Sequence, residues 1–381
     1  MANKENELKI CTRCICDTTI PGIHFDEEGE CNYCKIHDEM EKEYPLGKPG
    51  QEKLGEILKQ IKKKGKGKRY DCIVGVSGGR DSTFLLYTAC KIGLRPLVVH
   101  FDNGWDSEIA VTNIKNALDK LKLDLETLVV DWDEFKDLQK SFLLASVSDA
   151  EIPTDVGIFG TLHLVAAREK IKYILNGHSF RTEGIMPIGW TYMDGKYIAN
   201  VQKKFGHSRL KTFPNFGLVN FFHYTFIKKI KTVPLLNFVE YRHQEAEKIL
   251  AKELNWTYYG GHHYESYYTH FFQSYLLPKK FKIDKRKVEY SALVRSGQMT
   301  RRAAIEEIKN KPYEYDQELV NYTVAKLGFT QKEFKKIMEL PIKSFRDYPT
   351  YYPYVRLFKW PLMLAVRLKL IPDLLYQKFF T

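Results

Sequence analysis

No cysteine follows Cys90, and no apolar run approaches the roughly 20 residues needed to cross a bilayer. Nor does any apolar N-terminal stretch resemble a secretory signal. The seven cysteines sit at 11, 14, 16, 31, 34, 72 and 90, an odd number crowded toward one end, which argues against a secreted disulfide framework. A cytoplasmic protein is therefore expected. Acidic residues are in deficit: 47 Asp and Glu against 59 Lys and Arg leave a net charge of +12. Such a surplus predicts polyanionic partners, whether nucleotides, a nucleotide sugar, RNA or an acidic membrane surface. A hydrophobic content of 44% supports a real core, with one large or two medium domains expected for 381 residues.

What is present centres on residues 71–83, Asp-Cys-Ile-Val-Gly-Val-Ser-Gly-Gly-Arg-Asp-Ser-Thr. Cys72 to Val76 reads as a buried parallel strand, Ser77 to Gly79 as a sharp turn, and Asp81 to Cys90 as a helix. A glycine turn feeding a helix N-terminus aims backbone N–H groups and the positive end of the helix dipole at one point, a place for phosphate. The run lacks the Gly-Lys-Ser/Thr ending of a Walker loop and the Gly-x-Gly-x-x-Gly of a dinucleotide site. It matches the SGGxDS loop of the ATP pyrophosphatases. That resemblance implies ATP, with Ser77, Gly78, Gly79, Asp81, Ser82 and Thr83 cradling the pyrophosphate leaving group.

Strand and helix patterns alternate from residue 71 to about 184, which predicts an α/β fold built on a doubly wound, mostly parallel sheet. The resemblance of the loop implies that the sheet is of the ATP pyrophosphatase (adenine nucleotide alpha hydrolase-like) type. Ligands of such sheets lie at the carboxyl ends of the strands. Three strand-end segments are thereby expected together: Ser77 to Ser82, Asp102 to Trp105, and Asn176-Gly177-His178 through Glu183. Asp102 or Asn103 suits ribose or adenine. Asp81 and Glu183 suit Mg²⁺, which favours a few carboxylates plus phosphate oxygens. Arg181 is placed to neutralise phosphate charge, and Ile152 to Gly157 reads as a polar loop bringing Thr154 and Asp155 toward the same place.

Before this core, Cys-Thr-Arg-Cys and Cys-Asn-Tyr-Cys are separated by sixteen residues. Two such knuckles suit tetrahedral thiolate coordination of Zn²⁺ by Cys11, Cys14, Cys31 and Cys34. Cys16 is a spare thiol, and His24 and His37 are less regular ligands. The lysine- and glycine-rich stretch 62–69 reads as a solvated linker. After Gly184 the alternation ends. Phe213, Phe216, Phe221, Phe222, Tyr224 and Phe226 read as the core of a helical insertion rather than an RNA surface. Gly260-Gly-His-His-Tyr-Glu-Ser266 concentrates acid–base groups at one turn, marking His263 and Glu265. Lys279, Lys280 and the Asp284-Lys-Arg-Lys run supply cations for a triphosphate or sugar-nucleotide phosphate, with Lys280 taken as catalytic. The domains expected are a zinc module over 1–50, a nucleotide-binding domain over 51–200, a helical and loop substrate region over 201–310, and a helical C-terminal region over 311–381. The basic, aromatic tail from Tyr351 has the composition for peripheral membrane contact.

The knuckle, SGGRDST, Asn-Gly-His-Ser-(x)3-Glu-Gly, Gly-Gly-His-His-Tyr-Glu-Ser and the following Phe-Phe-Gln-Ser-Tyr-Leu-Leu-Pro-Lys-Lys and Ile-Asp-Lys-Arg-Lys together resemble the bacterial N-acetyl sugar amidotransferases of surface-polysaccharide biosynthesis. The resemblance runs from about residue 8 to 310. It implies that an acetamido group of a nucleotide-linked sugar becomes an acetamidino group at the expense of ATP with Mg²⁺. Ammonia would come from a separate glutaminase and its cyclase-like barrel partner, and no nucleic acid would be involved. The chain shows no glutaminase nucleophile of its own: Ala2 follows Met1, and Cys72 lies within a strand. The main rival is a tRNA-modifying enzyme with the same loop, and a third reading is a non-catalytic nucleotide sensor.

Overall fold

The computed structural model describes residues 8–261, 263–311, 313, 315–357 and 359–367. His262 and the end of the basic tail beyond residue 367 lie outside the described residues. Helices α1 (Asn32–Glu43) and α2 (Gly47–Gly65) lead into β1 (Cys72–Gly75). Then follow α3 (Arg80–Lys91), β2 (Pro96–Asp102), α4 (Glu108–Leu121), β3 (Leu125–Val129), α5 (Trp132–Ala145), α6 (Ile152–Arg168) and β4 (Tyr173–Asn176). After α7 (Gly195–Phe205) and α8 (Leu218–Phe222) comes β5 (Lys231–Pro234), followed by α9 (His243–Leu254) and α10 (Tyr267–Phe271). A π-helical run Phe272–Phe281 leads to α11 (Arg286–Arg295), α12 (Arg301–Asn310), α13 (Gln317–Lys326), α14 (Gln331–Glu339), α15 (Tyr352–Leu357) and α16 (Lys359–Arg367).

All five strands pair in parallel, in the order β3-β2-β1-β4-β5. Because side chains alternate along a strand, each central strand feeds two cores. Cys72, Val74, Val98, Tyr173 and Leu175 pack with Leu85 of α3, Ile114 of α4 and Leu250 of α9. Ile73, Leu97, Val99 and Ile174 face the other way, onto Val165 and Ala166 of α6. Helices on both faces are what a strand buried on both sides requires, and this is the doubly wound α/β sheet expected from the alternation. The chain winds outward from β1 to β3, then returns to β4 on the other side of β1. The crevice between the carboxyl ends of β1 and β4 is thus the switch point where such sheets take ligands.

Three expectations change. The sheet does not end near residue 200, since β5 pairs with β4 from Tyr173↔Lys231 to Asn176↔Pro234. Residues 152–157 are not a loop: they open α6, with Pro153 presetting the helical φ of its first turn, and Gly157 lies where a Cβ would meet the Phe101 ring at 2.4 Å. The aromatics of 213–226 also divide. Tyr224 stacks on Phe216 and Phe213 packs against Phe135, whereas Phe221, Phe222 and Phe226 are exposed. Among the described residues no helix is long and apolar enough to cross a membrane.

Candidate active site

β1 ends at Gly75, and the chain turns through Ser77–Gly79 into α3. Gly78 has φ +74°, and a Cβ there would meet the Ala110 carbonyl oxygen at 2.3 Å, so only glycine fits. Its own carbonyl accepts from Trp256 Nε1 at 3.0 Å and Asn113 Nδ2 at 3.2 Å, which fixes the turn from behind. Ser82 Oγ accepts from the Ser77 amide at 3.2 Å, and Thr83 Oγ1 donates to the Gly79 carbonyl at 2.7 Å. Ser77, Gly79, Asp81 and Ser82 line a cavity of about 650 Å³, together with Asn103, Gly177 and Glu183. Gly78 and Thr83 shape the loop rather than face the cavity.

Around the loop stand three carboxylates from distant parts of the chain. Asp81 accepts from Tyr241 Oη and lies 3.4 Å from Arg80 Nε. Burial pushes its pKa up, Arg80 opposes this, and the nearby Glu183 adds to the rise. Glu183 is partly buried, which pushes its carboxyl up, yet the charge and hydrogen bond of His178, at 2.9 Å, hold it below the usual carboxylate range. Glu265 arrives from the 260–266 turn, its Oε1 accepting from Ser77 Oγ at 3.3 Å and lying 3.6 Å from His263 Nδ1. Its Oε2 is buried with no hydrogen-bond partner among the described residues. His263 sits at φ +60°, a strained region for a residue with a Cβ, as is common where side chains are held for function. Burial pulls its imidazole down, but the hydrogen bond and charge of Glu265 and the charge of Glu183 outweigh this and raise it to about 9.

The cavity is lined by the orphaned carboxylate oxygen, two further carboxylates and a phosphate-type loop, the kinds of donor and cradle that a magnesium–triphosphate takes. Asp81, Glu183 and Glu265 are the residues that would hold it.

Other expected site residues lie elsewhere. Asp102 is absorbed in its own turn, Oδ1 accepting from the Gly104 amide at 2.9 Å, while Asn103 lines the cavity and donates to Thr154 Oγ1 at 3.3 Å. Arg181 is buried in a bidentate pair with Glu41 and donates to the Asn237 carbonyl at 2.9 Å, so it braces α1 instead of meeting phosphate. Lys280 is away from the cavity altogether. Its ammonium donates to the carbonyls of Ile337 (2.6 Å), Met338 (3.2 Å) and Leu340 (3.0 Å), closing the C-terminus of α14. Lysine suits the negative end of a helix dipole and here satisfies carbonyls left without helical partners. Lys280→Met should therefore cost about 1–3 kcal/mol in thermal or urea unfolding and leave ATP affinity within about twofold. A large loss of ATP affinity at unchanged stability would return Lys280 to the site.

Sequence reasoning passed over Arg80, Trp256, His243, Asp149 and Glu289. Arg80 is buried and ties the loop to Glu247 at 2.8 Å and His243 at 3.1 Å. Asp149 lines the inner cavity with Tyr197 Oη donating to it at 2.9 Å, and burial raises its carboxyl to about 7. Arg80 fills the variable position of the SGGxDS pattern, the one signal that was there to read, whereas Trp256, His243, Asp149 and Glu289 belong to no recognisable short pattern. A second cavity, about 740 Å³, shares Arg80, Gln273 and Glu289 with the first and is walled by Tyr258, Tyr264, Tyr290, Tyr313 and Tyr315.

The four knuckle cysteines are fully buried, with sulfurs 3.8 Å (Cys11–Cys34), 3.7 Å (Cys14–Cys31) and 3.7 Å (Cys31–Cys34) apart, and all four ligand atoms lie within 4.8 Å of one another. Zn–S bonds of about 2.3 Å in a tetrahedron imply sulfur–sulfur edges of about 3.8 Å, so the set fits zinc. Four thiolates on Zn²⁺ carry excess negative charge. The Arg295 guanidinium lies 3.9 Å from Cys14 Sγ and 4.0 Å from Cys34 Sγ, its Nε buried without a partner among the described residues. Cys16 is no ligand, since its thiol donates to Ser291 Oγ at 3.2 Å. His37 is also elsewhere, beside Glu41 at 3.5 Å.

Residues 265–362 match the family model described as LPS biosynthesis protein WbpG-like, C-terminal domain. An uncharacterized protein, MJ1599 of Methanocaldococcus jannaschii, is 32% identical over 120 residues, 31% of this chain and 42% of that protein, so the chain spans under half of that relative. A solved structure described as a predicted subunit of tRNA methyltransferase from Methanocaldococcus jannaschii is similar at 12% identity and a TM-score of 0.28, covering 47% of this chain and 73% of the other. The family match supports the sugar-amidotransferase family that the sequence resembles, and with it a role in polysaccharide biosynthesis.

Proposed function

We propose that this protein is an ATP-dependent amidotransferase that turns the acetamido group of a nucleotide-linked sugar into an acetamidino group. One observation carries the reading. Glu265, the first residue of the stretch that matches the lipopolysaccharide-biosynthesis family, reaches over the phosphate-type loop and accepts from Ser77 Oγ. The family-specific part of the chain and the ATP-type loop thus meet at one carboxylate.

The chemistry needs such a meeting. An amide oxygen is a poor leaving group and must be activated before ammonia displaces it. In the proposed sequence the amide oxygen attacks the α-phosphorus of ATP, and the bond to the β-phosphate oxygen breaks. Pyrophosphate leaves into the loop at Ser77, Gly79 and Ser82. Ammonia then adds to the imidate carbon, the carbon–oxygen bond to AMP breaks, and the amidine remains. His263, held protonated well above neutrality, suits charge neutralisation of the leaving phosphates. Glu265, kept ionised by His263 despite burial, suits the holding of magnesium against the phosphates. Bound magnesium would neutralise triphosphate charge and orient it for in-line displacement. The tyrosine-walled cavity beside Glu289 has the mixed apolar and hydroxyl lining that a glycosyl group needs.

The test is AMP release from ATP and ammonium with acetamido-sugar nucleotides, set against bulk tRNA. AMP formed only with a sugar, with the product mass showing oxygen exchanged for NH, is the expected result. AMP formed only with tRNA would move the protein to RNA modification, and no AMP with either would make it a nucleotide sensor.

A further inference from the structure

From Gly195 to Val239 the chain contains no Asp or Glu, while Lys196, Lys203, Lys204, Arg209, Lys211, Lys228, Lys229 and Lys231 fall in the same stretch. In its middle, α8 runs into a π-helical turn over His223–Ile227. Leu218, Val219, Phe221, Phe222, Phe226 and Ile227 are all exposed there, Val219 at 80% and Ile227 at 71%. This ridge is braced from beneath. Tyr224 stacks on Phe216 and packs against His163, the Ile230 amide donates to the Tyr224 carbonyl at 2.9 Å, and Ile230 is buried against the sheet.

The basic stretch at 62–69, which the active site leaves unused, returns here. Lys68 Nζ donates to the Lys170 carbonyl at 2.7 Å, and Lys172 Nζ donates to the Lys228 carbonyl at 2.6 Å. Lys172 is lowered first by burial and then by the charges of Lys68, Lys228, Lys64 and Lys229. Lysines from three segments therefore share one patch at the amino ends of β1, β4 and β5, beside the ridge. That end of the sheet is opposite the carboxyl-end cavity.

We infer that residues 218–231 form a docking element for an anionic lipid surface. Apolar side chains held proud of the fold insert at the headgroup boundary, and flanking lysines meet the anionic headgroups, the two-part arrangement of interfacial binding. Val219 and Ile227, the most exposed of the set, have no ring on which a nucleic-acid base could stack, which favours lipid over RNA. The inference stands independently of the amidotransferase reading.

The experiment is co-sedimentation of the full chain with vesicles of phosphatidylglycerol and phosphatidylethanolamine, against vesicles of phosphatidylcholine alone. Binding to the anionic vesicles, weakened by salt, is expected, with at least tenfold weaker partitioning for Phe222→Asp/Phe226→Asp and for Lys228→Ser/Lys229→Ser. Unchanged melting and ATP binding show that each variant is folded. Should the double aspartate variant fail to fold, Val219→Asp reads the same surface from its most exposed position. No binding to anionic vesicles overturns the proposal, as does binding that ridge variants leave intact. A ridge-dependent affinity for a polyuridine oligomer without vesicle binding would assign the surface to RNA. A ridge-dependent dimer in sedimentation equilibrium, again without vesicle binding, would assign it to a second copy of the chain.

Discussion

Cys11→Ser is expected to reduce bound zinc from about one per chain to near zero and to lower the melting temperature by roughly 10 °C or more. Residues 8–31 hold little regular structure, so their hydrogen bonds and apolar contacts offset only part of the chain entropy lost on ordering. A structural zinc contributes on the order of 10 kcal/mol in isolated modules, and part of that should appear here. The effect should spread because the knuckle is not a separate bead. Ser291 accepts from the Ile15 amide at 3.2 Å, and Arg301 donates to the carbonyls of Cys14 at 3.0 Å and Cys11 at 2.8 Å. Lys287 bonds Asp17 at 2.6 Å. The same helix, α11, carries Glu289 into the main cavity, with Lys285 just before it. Losing the metal should therefore weaken ATP binding as well as stability. Cys16→Ser is the control and should keep its zinc, because that thiol faces Ser291. Full zinc in Cys11→Ser, measured by elemental analysis, would reject the assignment.

The knuckle and the phosphate-type loop were legible because each is local: the spacing of four cysteines, or a strand, two glycines and a helix N-terminus, carries its geometry within a few residues. The parallel sheet followed from alternation for the same reason. What escaped depended on partners far along the chain. Lys280 lies in a run of cations that reads as anion-binding, but its direction is set by α14, nearly sixty residues later. Arg181 sits beside a strand end in sequence yet is claimed by Glu41 of α1. β5 is only four residues long, with two polar side chains and a proline, and becomes a strand because β4 offers it an edge. The aromatics at 221–226 have apolar neighbours in sequence, the usual sign of a core, and only the packing shows that Tyr224 and Ile230 take the inward positions. The site itself was read in pieces. Asp81, Glu183, His263 and Glu265 were each marked, but the contact between Ser77 and Glu265 joins residues 188 positions apart.

Glu265→Gln should lower turnover by about 10²–10³-fold, the range seen when one preorganised electrostatic group is removed from a reaction centre. The substitution keeps shape and removes charge. It should lower stability near neutral pH, because the ion pair that raises His263 and depresses Glu265 is lost with the charge, and relief of the unpartnered Oε2 offsets only part of this. His263 supplies a second readout. Burial favours the neutral imidazole, and Glu265 by hydrogen bond and charge, with Glu183 by charge, more than reverses this, to about 9. A histidine whose folded pKa is raised adds stability fully below its unfolded value, near 6.5, and loses that contribution as pH rises through about 9. Without the charge at 265, the His263 titration, followed by NMR, should move down toward its ordinary range. The alkaline loss of stability should move down with it and shrink. Asp81→Asn should match Glu265→Gln in turnover but leave His263 titrating close to its wild-type position, because Glu265 and Glu183 remain. Wild-type turnover in Glu265→Gln, or an unmoved His263, would separate Glu265 from the phosphate-type loop and remove the contact on which the proposed function rests.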